Sequence, residues 1–274
     1  MSRRMKITLL GATGRLGSAI GRAILDAPDM ELAGAVVRLG SAAAGQDIGA
    51  WLGGEPIGRR ADVTLEDALG EADVVIDASL PAMTVAAAEY LAERNGTPLV
   101  SGVTGFDAEQ AARLDAVSRR VPLLTADNFS LGVAIAEALV RHAARLPAED
   151  WDIEIEESHH RMKADAPSGT ALMLGRAAAE TRGERLEEVA SWARHGHTGP
   201  RKPGTIGFAV TRGGAIVGEH AVRLVAEMEE IAITHRAFDR AIFARGALAA
   251  ARWIDNGGQA RPAGHYSMQD VVAG

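Results

Sequence analysis

Within fourteen residues, Ser158-His159-His160-Arg161-Met162-Lys163-Ala164-Asp165-Ala166-Pro167-Ser168-Gly169-Thr170-Ala171 places two adjacent histidines, a lysine and a helix start. Histidine and lysine can each pass a proton or pair with a carboxylate. Lysine is scarce in this chain: Lys6, Lys163 and Lys202 are the only three among 29 Lys+Arg residues. Arginine keeps its proton near neutrality, whereas a lysine in a site can act as an acid or base, so Lys163 beside two histidines has a task that arginine could not perform. Pro167-Ser168-Gly169-Thr170 leads into Ala171-Leu172-Met173-Leu174 with the order of a helix N-terminus. The backbone N–H groups of such a terminus bind anions. The segment therefore predicts a site for a small anionic substrate.

Elements elsewhere must position this site. With 274 residues and 47% hydrophobic content, the chain is long enough for one large domain or two small ones with buried cores. Apolar runs end well short of a membrane span, and Met1-Ser2-Arg3-Arg4 leads directly into a strand-like segment rather than a signal core, so a cytoplasmic location is expected. The lack of cysteine excludes disulfides, thiolate metal sites and a cysteine nucleophile. A net charge of −7 and a pI near 5.6 argue against a nucleic-acid surface, and 4% aromatics leaves little for base stacking.

Strand-like and helix-like segments alternate through the first third: a strand at 6–10, a helix at 15–27, strands at 31–37, 73–77 and 98–102, helices at 83–94 and 108–119, and a strand at 121–124. Such alternation predicts an α/β fold with a Rossmann-like, doubly wound parallel sheet. From about residue 130 the pattern changes. A helix at 132–145 precedes the alternating strand 151–156, the His/Lys motif and a helix at 169–180. Strands are expected at 204–210, 215–220 and 221–227, with Gly213-Gly214 as a hairpin turn. Consecutive strands predict a second α+β domain with a mixed, largely open sheet, its bare face covered by another subunit. A final helix at 237–254 returns to the first domain. The expected division is 1–129 with 240–274 for dinucleotide binding, and 130–239 for substrate binding and oligomerisation.

Gly11-Ala12-Thr13-Gly14-Arg15-Leu16-Gly17 follows the first strand and opens the first helix. Glycines there permit a tight turn and close backbone approach to a pyrophosphate. An acidic residue at the second strand's end would take the ribose hydroxyls of NAD. Here Ala35-Val36-Val37-Arg38 ends in arginine, which predicts NADPH as the preferred cofactor, with NADH usable. Gly102-Val103-Thr104 and Ala126-Asp127-Asn128-Phe129 follow later strands at the same sheet edge and are expected to line the nicotinamide pocket.

These residues resemble the dihydrodipicolinate reductase family over nearly the whole chain. The resemblance rests on GATGRLG at 11–17, SGVTGF at 101–106, NFSLGV at 128–133, SHHRMKADAPSGTAL at 158–172, GHTGPRKPGTIGFAV at 196–210 and IVGEH at 216–220. It implies a Rossmann domain, a mixed-sheet domain that builds a homotetramer, and hydride transfer from a reduced nicotinamide to a cyclic, unsaturated dicarboxylate. It further implies His159 as proton donor or acceptor, Lys163 as second acid, and His160, Ser168, Gly169 and Thr170 as substrate ligands. A structural role for His160 stays open. Asp165 is expected to cap locally or pair with Lys163, Arg240 to be a surface residue, and His195, His197, His220 and His235 to lie at element ends without a metal. Val37, Ser79-Leu80-Pro81 and Asp127 depart from the family pattern. A different NAD(P)-dependent reductase and a non-catalytic dinucleotide sensor are the competing readings.

Overall fold

The computed structural model describes residues 3–94 and 96–274, so Met1 and Ser2 of the N-terminal lead, and Asn95, lie outside the described residues. In chain order the first elements are β1 (Met5–Leu10), α1 (Arg15–Asp26), β2 (Met30–Val36), the short α2 (Ile48–Trp51) and α3 (Leu65–Ala68), β3 (Val74–Asp77), α4 (Pro81–Arg94), β4 (Leu99–Ser101), α5 (Ala108–Ser118) and β5 (Pro122–Thr125). Then come α6 (Leu131–Ala143), β6 (Asp152–His159), α7 (Gly169–Thr181), α8 (Leu186–Val189), β7 (Ala190–Ser191), β8 (Ile206–Arg212), β9 (Gly218–Val225) and β10 (Glu230–Ala237). The chain ends with α9 (Ala241–Asp255), β11 (Gly264–Tyr266) and α10 (Met268–Ala273). Two compact units result: one takes the chain up to Ser130 together with Ala241–Gly274, the other Leu131–Arg240.

The first unit holds a six-stranded sheet in the order β11-β5-β4-β3-β1-β2, parallel throughout. Its inner strands are buried on both faces, as in Val74-Val75-Ile76-Asp77, and a strand covered on both sides must be an unbroken apolar run. Helix α1 buries Gly17, Ile20, Gly21 and Ile24, a spacing that keeps one stripe toward the sheet. Helix α5 starts at a capping box in which the Asp107 carboxylate accepts from the Gln110 N–H and the Gln110 side chain accepts from the Asp107 N–H. Among the described residues no helix is long and apolar enough to cross a membrane.

The second unit is built on a five-stranded mixed sheet ordered β10-β9-β6-β8-β7. Strand β6 runs parallel to β8 and antiparallel to β9. One sheet face carries Ile153, Ile155, Ile206, Phe208, Val222 and Leu224, packed against Val140 of α6 and Ala171, Leu174, Ala177 and Ala178 of α7. On alternate positions Glu154 and Glu156 of β6 pair with Arg194, Arg201 and Arg223 instead.

Four expectations need correction. Residues 215–220 and 221–227 are not two strands, because β9 runs unbroken as Gly218–Val225. Gly213-Gly214 is not a hairpin turn, since β6 lies between β8 and β9. This turn instead crosses the end of β6, where the Gly213 N–H donates to the His159 carbonyl at 2.9 Å and the Arg161 N–H to the Gly214 carbonyl at 3.3 Å. Residues 230–237 form β10, so the last long helix begins at Ala241 rather than 237. Strand β11 was not expected, being only Gly264–Tyr266 and held by its pairing with β5.

Candidate active site

In the first unit, β2 and β3 lie on opposite sides of β1, so the chain leaves β1 at a point where successive crossovers diverge. Doubly wound sheets bind ligands in that crevice, beyond the carboxyl ends of their strands. The Gly11–Gly17 loop occupies this place. Gly11 has φ of +75°, and a Cβ on it would stand 2.5 Å from the Ala78 carbonyl oxygen. A Cβ on Gly17 would stand 2.1 Å from the Gly11 carbonyl oxygen. Both glycines are thus set by close backbone approach. Helix α1 has Gly14 as its N-cap with no side-chain cap bond and no acidic residue in its first turn. Its positive end therefore faces outward without a built-in anion, which fits a pyrophosphate.

Gly14 and Arg15 are exposed, Thr13 and Leu16 half-buried, and Ala12 is buried, so Ala12 can offer a ligand only its backbone. Arg38 is exposed beyond the end of β2. The ends of β3, β4 and β5 are tied in series: the Gly102 N–H donates to the Asp77 carbonyl and the Ala126 N–H to the Ser101 carbonyl, each at 2.9 Å. The buried Phe129 ring lies against Gly102, where a Cβ would be 2.3 Å from the ring. The Asn128 side-chain oxygen accepts from the Ser130 N–H at 2.8 Å. Val103 and Ala126 are buried, whereas Thr104 and Asp127 are exposed along this edge.

One organiser here escaped the sequence reading. Asp77 is fully buried and accepts from the Ser79 N–H at 2.9 Å, Thr84 Oγ1 at 2.6 Å and Ser101 Oγ at 2.8 Å. Burial pushes its carboxyl pKa up, against the pull of these donors. It joins the ends of β3 and β4 to the start of α4.

In the second unit the fourteen-residue motif spans the end of β6, a loop and the first turn of α7. Ser168 caps α7, its Oγ accepting the Ala171 N–H at 3.2 Å. A Cβ built on Gly169 would meet nothing within 4 Å, so open space lies over the helix start. That arrangement suits a carboxylate received by first-turn N–H groups and the Thr170 hydroxyl. Ser168 itself is buried, with its N–H on Glu157 Oε1 at 2.9 Å and its hydroxyl 2.9 Å from His220 Nε2.

His159 is 12% exposed and its Nδ1 lies 2.6 Å from Glu157 Oε2. His160 accepts at Nε2 from Arg240 Nη2 at 2.8 Å. Desolvation, then the Arg240 charge and the charges of His159, Lys163 and Arg212, hold the His160 pKa below its ordinary value, so its neutral form is favoured. Lys163 Nζ donates to both oxygens of Asp165 at 2.8 Å, and this pairing holds the Asp165 carboxyl below the usual carboxylate range. Of the two roles expected for Asp165, the observed one is partner to Lys163.

His220 and His235 are not at element ends but inside β9 and β10, at paired positions. His220 is buried and lies edge-on to His159, ring centroids 5.1 Å apart. Desolvation, with the nearby His159, pushes its pKa down to about 4. Arg240, expected at the surface, is exposed but bonded to His160. Glu157, Arg212 and His220 were missed. Glu157 and His220 had a signal: alternation puts Glu157 in phase with buried Ile153 and Ile155, and His220 with buried Val222 and Leu224. Among the described residues no cluster of His, Cys, Asp and Glu could hold a metal ion.

A parallel sheet with a close-set glycine loop at its switch point, and a separate unit gathering histidines and a lysine at a helix start, define a Rossmann-type oxidoreductase. The N-terminal model of dihydrodipicolinate reductase matches residues 5–129 and the C-terminal model residues 132–272. The chain belongs to the dihydrodipicolinate reductase family. It is 46% identical to the 4-hydroxy-tetrahydrodipicolinate reductase of Caulobacter vibrioides, covering 99% of this chain and 98% of that one. With the Parvibaculum lavamentivorans protein of the same name it shares 45% identity over 99% of both chains. A dipicolinate-bound dihydrodipicolinate reductase from Paenisporosarcina sp. TG-14 has the same fold, at a TM-score of 0.76 and 19% identity over 97% of this chain and 99% of that one.

Proposed function

We propose that His159 and Lys163 supply the proton in the reaction that family membership assigns to this chain. That reaction is the NAD(P)H-dependent reduction of 4-hydroxy-tetrahydrodipicolinate, through its dehydrated form, to tetrahydrodipicolinate in diaminopimelate and lysine biosynthesis. The observation that carries the proposal is the gathering of His159, His160 and Lys163 with the open first turn of α7. The nicotinamide, when bound, supplies the hydride.

Hydride addition to a conjugated C=N system develops negative charge, which nearby cations stabilise and a positioned acid quenches. His159 is the proton donor or acceptor. Lys163 is the second acid, with a substrate carboxylate able to compete with Asp165 for its ammonium group. His160 is a substrate ligand, and Gly169 and Thr170 take a carboxylate on a turn set by Ser168. Gly11 to Gly17 cradle the pyrophosphate, while Gly102 to Thr104 and Ala126 to Phe129 line the nicotinamide pocket. Arg38 receives the 2′-phosphate of NADPH, the preferred cofactor. The first unit is accordingly the dinucleotide-binding domain. The second binds substrate and, through the sheet face opposite its helices, which carries Glu154, Glu156, Ala209, Ala232 and Thr234, forms a homotetramer. The enzyme acts in the cytoplasm without nucleic-acid or membrane partners.

The test is NADPH and NADH oxidation, followed by absorbance, with freshly generated 4-hydroxy-tetrahydrodipicolinate. Rapid turnover favouring NADPH supports reaction and cofactor preference together. Retained nucleotide binding without turnover would mean that the substrate pocket serves another reaction. Light scattering on the eluting protein checks the tetramer.

A further inference from the structure

Glu157 has no exposed side-chain surface, yet four donors converge on it. Its Oε2 takes His159 Nδ1 at 2.6 Å and Arg212 Nη1 at 2.7 Å. Its Oε1 takes Arg212 Nη2 at 2.7 Å and the Ser168 N–H at 2.9 Å. Burial works to raise the Glu157 pKa, but the Arg212 fork, then His159 and the Ser168 N–H, outweigh it and leave the carboxyl below its ordinary range. An ionised carboxylate only accepts, so the shared hydrogen with His159 must sit on Nδ1 of the imidazole. Proton exchange is left to Nε2. That nitrogen would stand 3.1 Å from a Cβ on Gly218, so the absence of a side chain there leaves the ring its place.

We propose that Glu157, clamped by Arg212, is the positioning residue for proton transfer at His159. It holds the imidazole in its Nδ1–H form with Nε2 presented, and through the Ser168 N–H it sets the start of α7 against the same ring. One carboxylate thus aligns the proton carrier and the helix terminus that receives a substrate carboxylate. Arg212 also donates to the Asp165 carbonyl at 2.7 Å, which ties the intervening loop to the same pair. Because Arg212 is paired with Glu157, the imidazole is oriented by an ion pair rather than by a lone negative charge. The inference rests on the reading of His159 as proton carrier.

The test reads the tautomer directly. In the full-length protein labelled with ¹⁵N-histidine, long-range ¹H–¹⁵N spectra distinguish Nδ1–H from Nε2–H, and His159→Gln assigns the signal. The wild type is expected to show neutral His159 as Nδ1–H. E157Q, whose amide places an N–H₂ among donors, is expected to lose that preference. Its kcat should fall about 10²-fold, with KM for NADPH unchanged. E157D keeps the charge at a shorter reach and should recover part of kcat. An Nε2–H tautomer in the wild type overturns the proposal even if E157Q does not fold, and so does an E157Q enzyme with wild-type tautomer and kcat. Since the tautomer is read without substrate, an Nδ1–H His159 in a protein lacking turnover would count against the assigned reaction and leave the positioning role standing.

Discussion

Ser168 and His220, 52 residues apart in the chain, meet at 2.9 Å between Oγ and Nε2 inside the second unit. With its pKa pushed down to about 4, His220 is neutral near pH 7, and its Nε2 can accept the Ser168 hydroxyl hydrogen. A neutral buried histidine links stability to pH with a definite sign. The unfolded chain binds a proton below about pH 6.5, whereas the folded chain does so only near pH 4. The contribution is therefore complete above about pH 6.5 and is lost as pH falls through the folded value. Between pH 6.5 and 5 it amounts to ~2 kcal/mol, at about 1.4 kcal/mol per pH unit. Urea unfolding at pH 7 and pH 5 should show wild type losing about that much more than His220→Gln. Equal losses in the two proteins would place the acid sensitivity elsewhere.

His159→Gln and Lys163→Ala should each lower kcat by roughly 10²- to 10⁴-fold, the range for a positioned acid or base. Both residues belong to the second unit, so NADPH affinity, measured by fluorescence titration, should stay near that of the wild type. Wild-type turnover in either variant removes that residue from the chemistry.

Arg38→Ala should raise KM for NADPH by about 10- to 100-fold, the scale of a lost hydrogen bond to a charged group. NADH, lacking the 2′-phosphate, should be little affected. A parallel rise for both nucleotides would show that Arg38 does not read that phosphate.

Gly17→Ala and Gly14→Ala should separate sharply. A Cβ at Gly17 falls 2.1 Å from the Gly11 carbonyl oxygen, whereas at Gly14 the nearest atom is 3.3 Å away. Forcing the first contact should cost about 1–3 kcal/mol of stability and displace the loop, raising KM for nucleotide. Thermal unfolding and nucleotide titration of the two variants provide the check. Comparable behaviour would mean that the loop yields at Gly17.

How much could be read from the chain depends on how local each feature is. The glycine loop and first helix are local, because a strand, a turn and an amphipathic stripe each follow from spacing within a few residues. Strand β10 is not: its Glu230-Ile231-Ala232-Ile233 run follows a cluster of acids, and its eight-residue register on β9 exists only in the assembled sheet. Strand β11, at three residues, is likewise held by β5.

The sequence by itself determined which chemical groups are present and which of them share a segment. His159, His160, Lys163 and Ser168 to Thr170 lie within twelve positions, and chain connectivity alone keeps them near one strand end and one helix start. Only the tertiary structure decided what holds them. Arg212 reaches Glu157 across 55 residues, His220 reaches Ser168 across 52, and Arg240 reaches His160 across 80. Those meetings depend on β6 lying between β8 and β9, a strand order that no local propensity encodes. The closure of such long loops is repaid by burial of the whole sheet against α6 and α7 rather than by any one contact.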